Sequence, residues 1–309
     1  MKIVYYINIM IILGLFTACE EEFVADLKNE EPTIIIEGWI SSLDEPQKII
    51  VSKTVEADQP NYREYNIPLG NLVDDALVIV SSNSQVADTL MVANDTTYGY
   101  WLGYYESNRI KGIPGETYYL TVEHNGKVYN ASAYMPTVPK MDSISYENKQ
   151  VEKENATLIV PLVNFQDPVN EENYYLFRSG NIYEDYITQE VYWEVLNGQD
   201  PWLISIFSDN FINGSYAKLN IREGVKTSRY WMDGNFHNYR GDKIFIQAQS
   251  LTKEAYNYYE ALIAQLNYTA GVFHPAPANP PTNISNGGQG FFGATAVSRV
   301  ADTIPGEHP

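Results

Sequence analysis

The residues that could carry catalysis are few and scattered. Four histidines, His124, His237, His274 and His308, stand far apart, and none falls in a His-x-x-x-His or Cys/His spacing. No zinc site is legible from that pattern. A Gly-x-Ser-x-Gly elbow, which would present a serine nucleophile, is missing from the sequence. Gly287-Gly-Gln-Gly290 is glycine-rich but lacks the Lys-Ser/Thr ending and the preceding strand of a phosphate loop. It reads as a tight backbone turn ahead of a final strand. Asp167-Pro-Val-Asn-Glu-Glu-Asn173 spaces oxygen ligands as a calcium ion could use, yet lacks the glycine and terminal glutamate of the twelve-residue loop. A solvated turn is the better reading there. With 39 acidic residues, many carboxylate pairs could do glycosidase work, and the chain selects none of them. The expectation is a non-enzymatic protein with no catalytic residue, no metal and no cofactor. A hydrolase whose site only the fold assembles stays open as an alternative.

Binding chemistry is better represented. Trp193, Trp202, Tyr230 and Trp231 are candidates for stacking on a sugar ring or gripping a peptide. Tyr192 and Trp193 point to opposite faces of a strand, so only part of the set can share a surface; core packing is the competing reading. Thr89, Thr96, Ser143 and Thr303 each follow an aspartate, in Asp88-Thr-Leu90, Asp95-Thr-Thr97, Asp142-Ser-Ile144 and Asp302-Thr-Ile304. The pattern resembles an Asp-Ser/Thr-apolar acceptor for bacterial O-glycosylation, although Asp-Thr is also common turn chemistry.

The single cysteine, Cys19, stands after an apolar run from Ile3 to Ala18 and before Glu20, Glu21 and Glu22. That run is short of the roughly 20 residues a membrane span needs. With Lys2 ahead and Thr17-Ala18 at its end, residues 1–18 read as a removable signal peptide. Small residues followed by Cys19 resemble a lipobox, with Phe16 standing where an aliphatic is usual. The expectation is a thioether to diacylglycerol at Cys19, holding the chain on the outer-membrane lipid. Glu20, Glu21 and Glu22 resemble the surface-export signal of Bacteroidota lipoproteins, which would turn the protein to the cell exterior. Residues 19–31 then form an acidic tether, and a lone acylated cysteine leaves no disulfide to make.

Composition narrows the partners. The formal charge is −19, so a nucleic-acid partner, which needs clustered Lys and Arg, is excluded. An acidic surface also disfavours lying on an anionic membrane and is compatible with cations or basic partners. The 25 tyrosines, 5 tryptophans and 11 phenylalanines favour half-buried pleated surfaces.

The elements that must position these residues are mainly strands. Seven short strand signals between residues 33 and 132 are punctuated by turns, the clearest at Asn125-Gly126, which suits a type I′ hairpin. They predict an immunoglobulin-like or transthyretin-like β-sandwich over residues 32–138. Residues 139–305 predict a second β-rich domain, with strands at 157–163, 174–178, 190–196, 203–207 and 241–249 and a last one at 294–300. One helix near 252–267 has Thr252 as N-cap and Ala255, Tyr259, Leu262 and Leu266 on one face. It reads as a lid packed on a sheet.

Several short motifs recur in a known order. They are Glu37-Gly-Trp-Ile40, Gly112-Ile-Pro-Gly115 and Met135-Pro136, then Asp167-Pro168 ahead of Asn173-Tyr-Tyr175. Gly241-Asp242, Tyr256-Asn-Tyr258, Asn283-Ile284 and Gly290-Phe-Phe-Gly293 follow. In this order they resemble the domain-of-unknown-function family 4249 of Bacteroidota lipoproteins, over about residues 30 to 305. The resemblance implies a surface lipoprotein working beside a TonB-dependent outer-membrane transporter, and it offers no catalytic residues to carry over. A broad, partly apolar exposed patch on the second domain would fit that accessory role. The alternative is a free-standing adhesin or glycan-binding module, marked by exposed tyrosine and tryptophan.

Overall fold

The computed structural model describes residues 32–54, 72–95, 102–151, 156–184, 191–195, 205–221, 241–268 and 278–306. From Thr33 onward the described residues belong to one compact unit. The protein is mainly β, with one α-helix among the described residues. No helix among them is long and apolar enough to cross a membrane.

The first sandwich faces two sheets across one core. Strands β1 (Ile34–Ser41), β2 (Gln47–Lys53), β5 (Met91–Asp95), β6 (Leu102–Ser107) and β16 (Gln289–Thr295) lie in the order β16-β1-β2-β6-β5. Opposite them, β3 (Leu77–Ser82), β4 (Asp88–Thr89), β7 (Thr117–His124) and β8 (Lys127–Tyr134) run β4-β3-β7-β8. Period-two alternation supplies the core: Ile34, Ile36 and Ile40 from one sheet meet Tyr118, Leu120 and Val122 from the other. The β7–β8 turn has Asn125 at φ 50° and Gly126 at φ 72°, the two left-handed residues a type I′ turn requires.

The second sandwich sets the order β14-β10-β9, from β9 (Met141–Val151), β10 (Ala156–Gln166) and β14 (Tyr216–Asn220), against a larger sheet. That sheet holds β11 (Tyr174–Glu184), β12 (Val191–Val195), β15 (Lys243–Leu251) and β17 (Val297–Thr303) in the order β12-β11-β15-β17. β13 (Ser205–Ser208) pairs with β11 over Tyr174–Phe177. Phe165, Tyr175, Phe177, Ile244 and Ile246 fill the space between the sheets. The two strands without a prediction are β9 and β14, whose polar sequences, Asp142-Ser-Ile-Ser-Tyr-Glu-Asn148 in β9, weaken the apolar alternation.

The expected alternation along 241–249 does not separate core from solvent. Ile244, Ile246 and Ala248 face the sandwich core, yet Phe245 and Gln247 are buried too. A middle strand covered on both faces loses the polar half of its pattern. Part of that cover is helix α1 (Lys253–Leu266), whose N-cap Thr252 accepts from the Ala255 N–H at 3.2 Å. Its buried stripe is Ala255, Tyr258 and Tyr259, with Leu262 packed alongside, whereas Leu266 is exposed. Nor does the helix rest on one sheet. It packs on Trp39 and Phe291 of the first sandwich and on Leu176, Leu251 and Ile206 of the second.

The C-terminal part departs furthest from expectation. In place of one strand at 294–300 there are two, and they serve different sandwiches. β16 runs parallel to β1, from Ile35 opposite Gln289 to Ser41 opposite Thr295. After Ala296, β17 runs antiparallel to β15. Residues 289–296, assigned by sequence to the domain 139–305, therefore pack in the first core through Phe292, Ala294 and Ala296. The physical reason is the edge of β1, whose backbone groups need a partner. The glycine-rich segment makes the pairing geometrically feasible: Gly290 has φ 89°, and a Cβ there would sit 2.2 Å from the Ile36 carbonyl oxygen.

Candidate functional site

One end of the second sandwich is built from two loops, 167–173 after β10 and 209–215 before β14. Two buried aspartates stitch them together. Asp167 accepts from the Tyr175 hydroxyl at 2.7 Å and from the Gly214 N–H at 3.2 Å. Asp209 accepts from the Asn173 N–H at 2.9 Å and from the side-chain amides of Asn173 and Asn213 at 3.3 and 3.4 Å. Asn213 in turn donates to the Glu171 carbonyl at 2.6 Å, and the Asp167 N–H donates to the Ser215 carbonyl at 3.0 Å. Burial pushes the Asp167 carboxyl above the usual range; the Tyr175 and Gly214 hydrogen bonds oppose that, while Asp209 and Glu171 add to it. The Tyr175 hydroxyl is raised by burial and by the same carboxylate.

This frame holds apolar side chains out in solvent. Asp209–Phe211 form a 3₁₀ turn, and Phe211 at its end is 94% exposed. Val169, in the facing loop, is 62% exposed, and Tyr216, where β14 begins, is 59% exposed. The turn is rigidly pinned, since the Ile212 and Asn213 N–H groups both donate to the Asp209 carbonyl, at 2.7 and 2.8 Å. An ordered loop with an outward phenylalanine is the arrangement of a binding surface. The available signal was Ser208-Asp-Asn-Phe-Ile-Asn-Gly214, where Asp, Asn and Gly supply the turn and leave the aromatic without a periodic partner.

The largest aromatic cluster is elsewhere and is internal. Trp39 stacks on Tyr259 at 5.3 Å and on Phe291 at 5.8 Å between ring centroids, and Tyr258 stacks on Phe291 at 4.7 Å. A Cβ on Gly293 would meet the Trp39 ring at 2.2 Å, so the indole lies flat on that glycine. The half-buried Arg178 is the charge with the largest effect on the Tyr259 hydroxyl. Burial raises that hydroxyl and Arg178 opposes the shift. These rings join helix α1 to the first sandwich, and Tyr174 of β11 against Tyr256 at 5.1 Å joins it to the second, which is a structural task.

The family model of a domain of unknown function (DUF4249) matches residues 20–300. The chain belongs to this family. No curated protein matches it.

Within this DUF4249 chain, the sequence-derived candidates fall as follows. Cys19, Glu20, Glu21 and Glu22 lie outside the described residues, as do Thr96, Trp202, Tyr230 and Trp231. Trp193 is in β12, opposite Ile182, and its side chain lies outside the description. Thr89 in β4, Ser143 in β9 and Thr303 in β17 are exposed, while the apolar residues after them, Leu90, Ile144 and Ile304, are buried. Each motif thus sets an exposed Ser or Thr directly before a buried apolar residue. Among the described residues no group of three or more His, Cys, Asp or Glu is placed to hold a metal ion. The carboxylate of Asp167, in the 167–173 stretch whose spacing a calcium ion could use, accepts hydrogen bonds from the protein itself.

Proposed function

We propose that this DUF4249 protein is a lipoprotein anchored at the outer membrane through Cys19, facing outwards. In this reading it works as a non-enzymatic accessory or ligand-binding partner of a TonB-dependent transporter. The transporter supplies the energy, and this chain binds and releases. The observation that carries the reading is the exposed apolar end at Val169, Phe211 and Tyr216, held in place by buried aspartates. Ordering such a surface before contact reduces the entropy lost on binding. Cys19 directly after a signal-like apolar run, with three glutamates behind it, supports the location. The same environment would give the exposed hydroxyls of Thr89, Ser143 and Thr303 access to a glycosyltransferase. Glycosylation there would be a processing mark, separate from the binding role.

The test is purification of the tagged full chain from detergent-solubilised outer membrane, with co-purifying proteins identified by mass spectrometry. A TonB-dependent transporter should be recovered in near-stoichiometric amount and lost with Cys19→Ala. A chain that comes out alone would overturn the accessory reading.

A further inference from the structure

We infer that the second sandwich's free end docks a protein partner through an apolar socket, bordered by basic residues, that receives the Phe211 side chain. The inference rests on the accessory reading and adds which surface makes the contact and what the partner must present. Phe211 is the most exposed large apolar residue described; Val169 is exposed in the facing loop and Tyr216 at the start of β14. An aromatic side chain on a hydrogen-bonded turn is suited to insertion, because the backbone beneath it needs little further ordering on binding.

Charge decides between occupants. Glu171 and Glu172 are exposed beside the ring's loop, and Asp167 and Asp209 lie buried beneath. Of these, Glu172 lies 3.8 Å from the Nζ of Lys253 at the start of helix α1. The next cation along β14, Lys218, is already paired with Glu147 at 2.6 Å. A second copy of the chain would bring the same acids to the contact and a further −19 overall. An anionic lipid surface would be repelled in the same way. A partner with Lys and Arg around a hydrophobic pocket satisfies both features.

The experiment places the photoreactive residue p-benzoylphenylalanine at position 211 of the full lipidated chain and irradiates it in its own outer membrane. The same residue at Val86, exposed in the first sandwich, is the control. The expected result is a cross-link from position 211 to the transporter that co-purifies, at a peptide containing Lys or Arg, with none from position 86. Adding Glu171→Lys and Glu172→Lys should lower the yield about tenfold. If the transporter co-purifies but position 211 does not reach it, the docking surface is wrong and the accessory reading survives. Unchanged yield in the double variant, or a cross-link only to a second copy or to lipid, likewise overturns the inference. If no transporter co-purifies at all, the accessory reading fails and takes the inference with it.

Discussion

At the scale of single residues, the exposed Phe211 forgoes the roughly 1.5–3 kcal/mol that burying such a side chain contributes. The turn that carries it is fixed by two buried aspartates, Asp209 within the turn and Asp167 through Gly214. A buried carboxyl with a raised folded-state pKa keeps its proton where the unfolded chain has lost it. The folded form then binds more protons than the unfolded form, so stability should fall as pH rises from the unfolded value of about 3.9. It should level off above the raised folded value. Asp167→Asn removes the titration, and urea midpoints measured from pH 4 upwards should lose that part of the decline. An identical pH slope in wild type and variant would mean that Asp167 is not the group responsible.

At the scale of elements, β16 and α1 are the connectors. β16 closes the edge of β1, and its approach depends on a glycine at a φ that side chains rarely adopt. Gly290→Ala would force a Cβ against the Ile36 carbonyl, so it should cost more than about 1 kcal/mol. Chemical denaturation of the purified chain checks this, and a variant as stable as wild type would show that the β1–β16 register can shift without penalty. Helix α1 has a different role. Tyr258 and Tyr259 on one stripe reach Phe291 of β16 and Trp39 of β1, while Ala255 and Leu262 share a cluster with Leu176 and Leu251. The helix is therefore a brace between sandwiches.

At the scale of the molecule, the chain visits the first sandwich, builds the second, returns for one strand and finishes in the second. Each core depends on residues distant in sequence, such as Phe292 with Ile36 and Ile304 with Met141. Residues 32–138 expressed alone should consequently fail to fold stably, because β1 keeps an open edge and the core lacks Ile284, Phe292 and Ala294. A well-dispersed amide NMR spectrum from that fragment would contradict this. The full chain should unfold in one transition by both near- and far-UV circular dichroism, as shared elements couple the two cores.

Local rules made much of this legible in the sequence. Alternation in Tyr118, Leu120 and Val122, the Asn125-Gly126 turn and the Thr252 cap each depend on neighbours a few residues away, and each is where the pattern put it. Family membership was likewise carried by short motifs in order. What needed the tertiary structure was every relation between distant segments. Glu37-Gly-Trp-Ile40 and Gly290-Phe-Phe-Gly293 are legible as motifs, but only parallel pairing shows that the glycine of one seats the tryptophan of the other. Polar β9 and β14 became strands because backbone pairing with β10 outweighed a weak apolar signal. Phe211 stands exposed because buried Asp167 and Asp209, contributed by two loops some forty residues apart, fix the turn beneath it. Sequence patterns record which face of an element is apolar; which faces meet is decided by long-range packing.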